Sequence, residues 1–397
     1  MNIQFLSIRI DQLRRSIKHV WIGIALLVLV SYDSQTSNQG GFRYTAKVDL
    51  NSDELAFQDI VADYKYIKLE VTDKSILGTI RKVEFYQSRI YTLTDIVHCF
   101  DQNGKFLFSI DKKGRGPEEF TQIMYMSLDD NRIILTAPGG RINIYRSDNG
   151  DFIKSYNLGF AVESLVFDGD ITYMDRGNYA FEDLNKKGTV LIGNLRNPTV
   201  FDEYLSDQVP LFVSGELTGR AKSYYFNDPL KNQIYKFANG TIDKYIQFDF
   251  GAKNPTKADI NAIIANQGPS REITNAHFLQ NFSENKSFAS CVVTAPPLFH
   301  EILFDKESNK CICWDPLPNK PRLELYQFFP FMLRAFDDDY FYGVIEASRL
   351  VTAKDNIIKS GLTLDRSHPA YLNYKIVLEA DVNDNQIIAL YKFKRLK

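Results

Sequence analysis

Cysteine is scarce. Four Cys in 397 residues cannot frame a disulfide scaffold. Charge of one sign is also lacking: net charge is -2 and the sequence pI about 6.3. No basic stripe runs along the chain, so nucleic acid is not an expected partner. The five His residues (His19, His98, His277, His300, His368) fall at no catalytic spacing. No Gly-x-Ser-x-Gly elbow and no Walker loop occurs, which leaves the common hydrolase and nucleotide signatures unfilled. Gly114-Arg115-Gly116 lacks the third glycine and the strand–helix setting of a dinucleotide site. Tryptophan is nearly absent, with 2 Trp against 29 Phe and 22 Tyr. Aromatics at 13% suit strand-rich structure, where flat side chains pack on pleated surfaces.

A long hydrophobic run stands near the N-terminus. Arg9, Arg14, Arg15 and Lys18 precede the apolar stretch from Val20 to Val30. A basic segment followed by about 11 apolar residues is a secretory signal pattern, too short for a spanning helix of about 17–25 residues. Residues 1–31 are therefore expected to be a signal peptide or N-terminal membrane segment, and 32–54 a flexible polar tether. Leu29-Val30-Ser31-Tyr32 matches a lipoprotein processing site except at Tyr32, where the chemistry requires a thiol.

What fills the rest is a repeat. Ser88-Arg89-Ile90-Tyr91-Thr92-Leu93 and Phe100-Asp101-Gln102-Asn103-Gly104-Lys105-Phe106 find echoes in Asn131-Arg132-Ile133-Ile134-Leu135 and Asp148-Asn149-Gly150-Asp151-Phe152. A third hairpin, Tyr235 to Ile242, carries Asn239-Gly240. The Asn-Gly pairs supply the positive φ of a tight hairpin turn. A period of roughly 40–50 residues of short strands is the mark of a propeller blade. Six sets follow: 80–111, 122–158, 162–205, 222–250, 287–315 and 331–393. The alternating strand Tyr64–Glu70 has no blade of its own and is expected to pair with 386–393. That pairing closes the ring and removes exposed sheet edges. The fold class is an all-β, six-bladed β-propeller over 55–397. Thr256 and Asp259 form a capping-box pattern that predicts a short helix over 256–267.

The series Tyr66-Ile67-Lys68-Leu69-Glu70, Ile76-Leu77-Gly78, Phe100–Phe106 and Lys113-Gly114-Arg115-Gly116-Pro117-Glu118-Glu119-Phe120 resembles the six-bladed β-propeller lipoproteins of Gram-negative anaerobe envelopes. Asp384–Lys392 resembles that family's terminal strand, with Gln386 where relatives commonly have Pro. The likeness covers roughly 60–397, and Gly-Arg-Gly-Pro is its most specific part. It implies a fold also similar to NHL-repeat propellers and an exported, membrane-held protein. It implies no activity that can be carried onto residues.

The candidate binding residues are Arg115 and Glu118, on the loop Gly114–Phe120. Arg115 at a channel rim can clamp a carboxylate or phosphate. The competing reading is that the glycines and Pro117 fix the chain's path and Arg115 is solvated. Cys311 and Cys313, with Cys291 and His300 nearby, are too sparse a set for zinc and read as buried thiols. Asp337-Asp338-Asp339 reads as an acidic turn, since no alternating calcium loop follows. No metal and no cofactor is expected. The function reads as an exported scaffold binding an envelope glycan, peptide or protein, with membrane association through the N-terminal segment. The alternative is a hydrolase or lyase acting in the channel, because propellers host both.

Overall fold

The structure is a computed structural model. It describes residues 41–50, 55–176, 190–194, 197–204, 217–220, 223–228, 231–265, 273, 275–295, 298–315 and 325–396. The expected signal segment and the first part of the expected tether lie outside these residues. Among them, no helix is long and apolar enough to cross a membrane.

The first elements are β1 (Tyr44–Lys47), α1 (Phe57–Ile60) and β2 (Val61–Lys68). Blade 1 is β3 (Lys82–Tyr86), β4 (Arg89–Leu93), β5 (Val97–Asp101) and β6 (Phe106–Ile110). Blade 2 is β7 (Tyr125–Asp129), β8 (Arg132–Ala137), β9 (Arg141–Arg146) and β10 (Phe152–Asn157). Blade 3 is β11 (Ser164–Asp168), β12 (Ile171–Asp175), β13 (Val190–Asn194) and β14 (Asn197–Tyr204). Blade 4 is β15 (Leu217–Arg220), β16 (Ser223–Asp228), β17 (Gln233–Ala238) and β18 (Thr241–Asp249). After α2 (Lys257–Ala265), blade 5 is β19 (His277–Glu284), β20 (Phe288–Ala295), β21 (Leu298–Asp305) and β22 (Lys310–Trp314). Blade 6 begins with β23 (Arg334–Ala335) and β24 (Tyr340–Ile345). It passes through α3 (Ala347–Ser360) and α4 (Tyr371–Leu378), and returns as β25 (Ile387–Phe393). The six-bladed propeller read from the sequence is the observed fold.

Ring closure follows the expected pairing. β2 lies antiparallel on β25, with Tyr66 opposite Ala389 and Lys68 opposite Ile387, and becomes the outer strand of blade 6. All three Asn-Gly pairs fall at one place in the repeat, between the third and fourth strands of blades 1, 2 and 4. Gly104, Gly150 and Gly240 have φ of 87°, 77° and 78°. Only the third turn also has its Asn at positive φ, as a two-residue turn requires.

Each blade is covered on both sides, so side chains along a middle strand alternate between two cores. In β8, Ile133 and Leu135 pack with Tyr91 and Val97 of blade 1. Ile134 turns the other way, to Leu165 and Met174 of blade 3. This two-sided burial makes the middle strands read as unbroken apolar runs. Among the described residues six such clusters occur, each joining two neighbouring blades.

Tyrosine hydroxyls tie the same seams. Tyr91 donates to the Ser147 carbonyl at 2.7 Å, and Tyr342 to the Val83 carbonyl at 2.6 Å across the closing seam. Tyr173 accepts from the Gly240 amide at 2.8 Å. A phenol brings a large apolar body and a polar tip to a buried carbonyl, and so the chain favours Tyr over Trp here.

Three features depart from the expectations. Within the stretch assigned to the tether, Tyr44–Lys47 is a strand that adds parallel to β18 as a fifth strand of blade 4. Just beyond it, the Cys313 thiol of blade 5 donates to the Asp49 carbonyl at 2.8 Å. Blades 4 and 5 start earlier than the 222–250 and 287–315 sets, because β15 and β19 supply their inner strands. The last set contains two helices. α3 buries Leu350, Ala353 and Ile357 on one face and ends at Gly361, whose φ is 69°. α4 covers the free edge of β2: Asn373 accepts from the Tyr66 amide and donates to the Tyr64 carbonyl, both at 3.0 Å. Those two bonds satisfy backbone groups that would otherwise template another strand. The capping box before α2 is formed, with Thr256 and Asp259 bonded reciprocally.

Candidate functional site

The inner strands of blades 1, 2, 5 and 6, with the start of β16 in blade 4, line a cavity of about 570 Å³. Its wall draws on β3, the end of β7, β16, β19 and the segment leading into β23. Lys82, Glu84, Asp129, Glu284, Arg334 and Glu346 are its main charged residues. Lys82 pairs with Glu84 at 3.0 Å and sits 3.5 Å from the centre of the Tyr125 ring. Asp129 pairs with Arg132 at 2.7 Å, yet burial still raises its carboxyl above the usual range. Glu284 accepts from Tyr225 and Tyr245 and pairs with Lys306 at 3.2 Å. Burial first, and then the Glu284 charge, push both phenols far up. Arg334 donates to the Asn281 side chain at 2.7 Å. The wall thus holds its charges in fixed positions, interleaved with Phe85, Phe336 and Tyr342.

The loop singled out by sequence lies elsewhere. Neither Arg115 nor Glu118 lines the cavity. Arg115 is exposed and makes no hydrogen bond or ion pair among the described residues. Glu118 is exposed too, 3.5 Å from Lys112. The loop's main chain is held by the next blade. Arg141 donates to the Gly116 and Pro117 carbonyls at 2.6 and 2.5 Å. Tyr145 donates to the Glu118 carbonyl at 2.7 Å and Asn143 to that of Glu119 at 3.1 Å. Glu119 turns inward to accept from the Gly116 amide at 2.7 Å. The loop is a strap from blade 1 to blade 2, and Arg141 is its buckle. Arg141→Ala should lose roughly 1.5–3 kcal/mol, as expected for charged hydrogen bonds. Arg115→Ala should change stability by less than about 0.5 kcal/mol. Chemical denaturation of both variants checks this; equal losses would make Arg115 a structural tie as well.

A family model described as a domain of unknown function, DUF4934, matches residues 45–392. The chain belongs to the DUF4934 family. No curated protein matches it. Among solved structures, this DUF4934 chain is similar to a Bacteroides fragilis protein described as exported. The two are 14% identical with a TM-score of 0.71, over 88% of this chain and 100% of that one. At that identity the likeness speaks for the fold. A catalytically inactive virginiamycin B lyase from Staphylococcus aureus, solved with quinupristin, is 13% identical with a TM-score of 0.39. It covers 65% of this chain and 76% of its own.

Other sequence candidates of the DUF4934 chain are structural. Cys291 is fully buried, and burial raises the Cys311 thiol to about 12. Among the described residues no group of His, Cys, Asp and Glu could hold a metal ion. Burial lowers His98 to about 4 and lowers His277 and His300 as well, so all three are neutral core rings at neutral pH. Asp337 caps its own turn, accepting from the amides of Asp339 and Tyr340. Sequence reasoning missed the channel wall. It is assembled from single residues on separate blades, with no local motif to mark it.

Proposed function

We propose that this propeller is an exported protein of the cell envelope that binds a ligand in its central channel. The observation that carries the reading is the cavity of about 570 Å³, within the range of small-molecule and peptide sites, walled by fixed charges and aromatic rings. An envelope glycan or peptide offers the polar groups such a wall can match. Arg115 and Glu118 are proposed as outer contacts for a partner that docks on the strap face, since both are exposed.

A thermal-shift screen of envelope glycans and peptides tests the channel. A specific ligand at 100 times its Kd stabilises the folded state by about 2.7 kcal/mol. Thr79 stands on the channel wall, and Thr79→Trp should intrude on the channel and reduce the shift. A shift that survives this change undiminished would move the site elsewhere.

Export and tethering rest on the basic and apolar pattern of residues 9–30. The likeness to envelope lipoproteins stops short of a lipid anchor, because the phenol at Tyr32 cannot carry the lipid as a thiol would. Intact-mass measurement of the envelope fraction would show whether residues 1–31 remain. Recovery of the chain solely from the cytosol would overturn export.

A further inference from the structure

One large apolar residue of the channel wall has an unusual backbone. Met332 has φ of 51° and its side chain is half-exposed, at 51%, on the channel wall. Apart from Asn281, the other non-glycine residues at positive φ lie in hairpin turns or short turns, as Gln87 and Ser88 do. A large flexible side chain in this region carries a conformational cost, and such outliers persist only where the surroundings impose them. The agent here is Glu301, on β21 of the neighbouring blade and fully buried. Its carboxylate accepts from the Met332 amide at 2.8 Å and the Leu333 amide at 3.4 Å. The Ser290 hydroxyl stands 2.6 Å from the Oε1 that faces Leu333, and 2.9 Å from the Ile302 carbonyl.

We propose that Glu301 is the positioning residue of the channel wall: it clamps two consecutive amides to present Met332 to the ligand, and uptake of a proton by Glu301 loosens that clamp. The inference rests on the channel reading for its use, and on the Glu301 geometry alone for its test. Met332, beside Phe331, offers a soft apolar surface, so the ligand class it favours carries an apolar group.

The proton has a defined place. In the ionised state Ser290 donates to Oε1. When Oε1 gains a proton from solvent, Ser290 turns its hydroxyl to the Ile302 carbonyl and accepts from Glu301. The network stays satisfied around Ser290, but the Leu333 amide then faces a protonated oxygen, a poor acceptor. The Met332 amide keeps Oε2. One of the two bonds that hold the segment is thereby weakened.

The surroundings allow this within the ordinary pH range. Burial pushes the Glu301 carboxyl up to about 7, against the pull of Ser290, the two amides and the Arg334 charge. The ionisable groups that face it are Arg334 on β23 and the buried Cys291 thiol on β20. On β22 its cross-strand neighbour is Trp314, which does not titrate. Between pH about 4.5 and about 7 the folded chain keeps a proton that the unfolded chain has released. The group's contribution to stability therefore falls as pH rises through that window.

The test needs no ligand. The chain has 5 Met, so methyl-labelled methionine gives a short spectrum in which Met332→Leu identifies the Met332 signal. In the unmodified protein that signal should titrate with a midpoint near 7. In Glu301→Gln, which mimics the protonated form, it should stay at its low-pH position throughout. Ser290→Ala removes a donor that favours the carboxylate, so the midpoint should move upward; this variant decides the matter if Glu301→Gln does not fold. A Met332 signal that ignores pH, a titration that survives Glu301→Gln, or an unmoved midpoint in Ser290→Ala would overturn the proposal. A ligand screen that fails while the titration appears would count against channel binding and leave the clamp standing.

Discussion

A chain ended at Asn385 should not reach a folded monomer. β25 sits between β24 and β2, paired with both. Ile387, Ile388, Ala389, Leu390, Tyr391 and Phe393 are all buried. Five of these are large, and each gains roughly 1.5–3 kcal/mol from burial. Their sum, roughly 7.5–15 kcal/mol, is comparable to the 5–15 kcal/mol that holds a typical domain folded. The damage also spreads along two seams. Ile388 and Leu390 belong to the cluster shared with blade 1, whereas Ile387, Tyr391 and Phe393 belong to the one shared with blade 5. Loss of the strand leaves β2 without a sheet and exposes the edge of β24, an aggregation template. Gel filtration and thermal unfolding decide the point. A monomeric truncated chain with an unchanged midpoint would show that the ring closes in some other way. Removal of residues 42–50 makes a useful contrast. It strips β1 from the outside of blade 4, together with buried Val48 and the Asp49 carbonyl that Cys313 bonds, and should leave a folded, less stable monomer.

These contrasts show what a sequence can disclose about a ring. Hairpin turns are local, and Asn103-Gly104, Asn149-Gly150 and Asn239-Gly240 marked the same corner of three blades. Closure was legible because an alternating strand, Tyr64–Glu70, had no neighbour in sequence to pair with. β1 was not legible: Tyr44–Lys47 is four residues long, and its parallel partner Ile246–Asp249 is fixed only after blade 4 exists. α3 was legible in principle, through Leu350, Ala353, Ile357 and the stop at Gly361, but it lies inside a run of strands. The candidate site followed the same division. Gly114–Phe120 stood out because glycine and proline are local signals, and it proved to be a strap whose exposed side chains lie off the channel. The channel wall carries one residue here and two there, and a sequence does not reveal that blades 1, 2, 4, 5 and 6 bring them together. Glu301 left a faint mark, as a carboxylate in the middle of the strand Leu298–Asp305. Its partners at Met332 and Leu333 could not be read from that.

The three Asn-Gly turns also give a graded prediction, because the same residue in nearly the same conformation meets three different neighbours. A Cβ at Gly240 would stand 3.7 Å from Ile171, an ordinary contact. At Gly150 it would come within 3.0 Å of the Phe108 ring and 3.1 Å of Ile110, side chains that can shift. At Gly104 it would lie 2.1 Å from the Lys68 carbonyl, which is backbone of the closing strand. That carbonyl has little freedom. Its neighbour Glu70 is bound to the same turn twice, through its own amide to the Gly104 carbonyl and through its carboxylate to the Phe106 amide, both at 2.8 Å. Alanine at any of the three bears the left-handed cost of roughly 1–2 kcal/mol. Gly240→Ala should show little beyond it. Gly104→Ala adds overpacking against rigid backbone and should reach roughly 3–5 kcal/mol, with Gly150→Ala between. The excess at Gly104 comes from the seam between the first and last blades, so it should appear as faster unfolding of the ring, measured by stopped-flow in denaturant. Equal losses at all three glycines would mean that the turn conformation alone sets the cost, and that the Gly104 turn does not press on the closure.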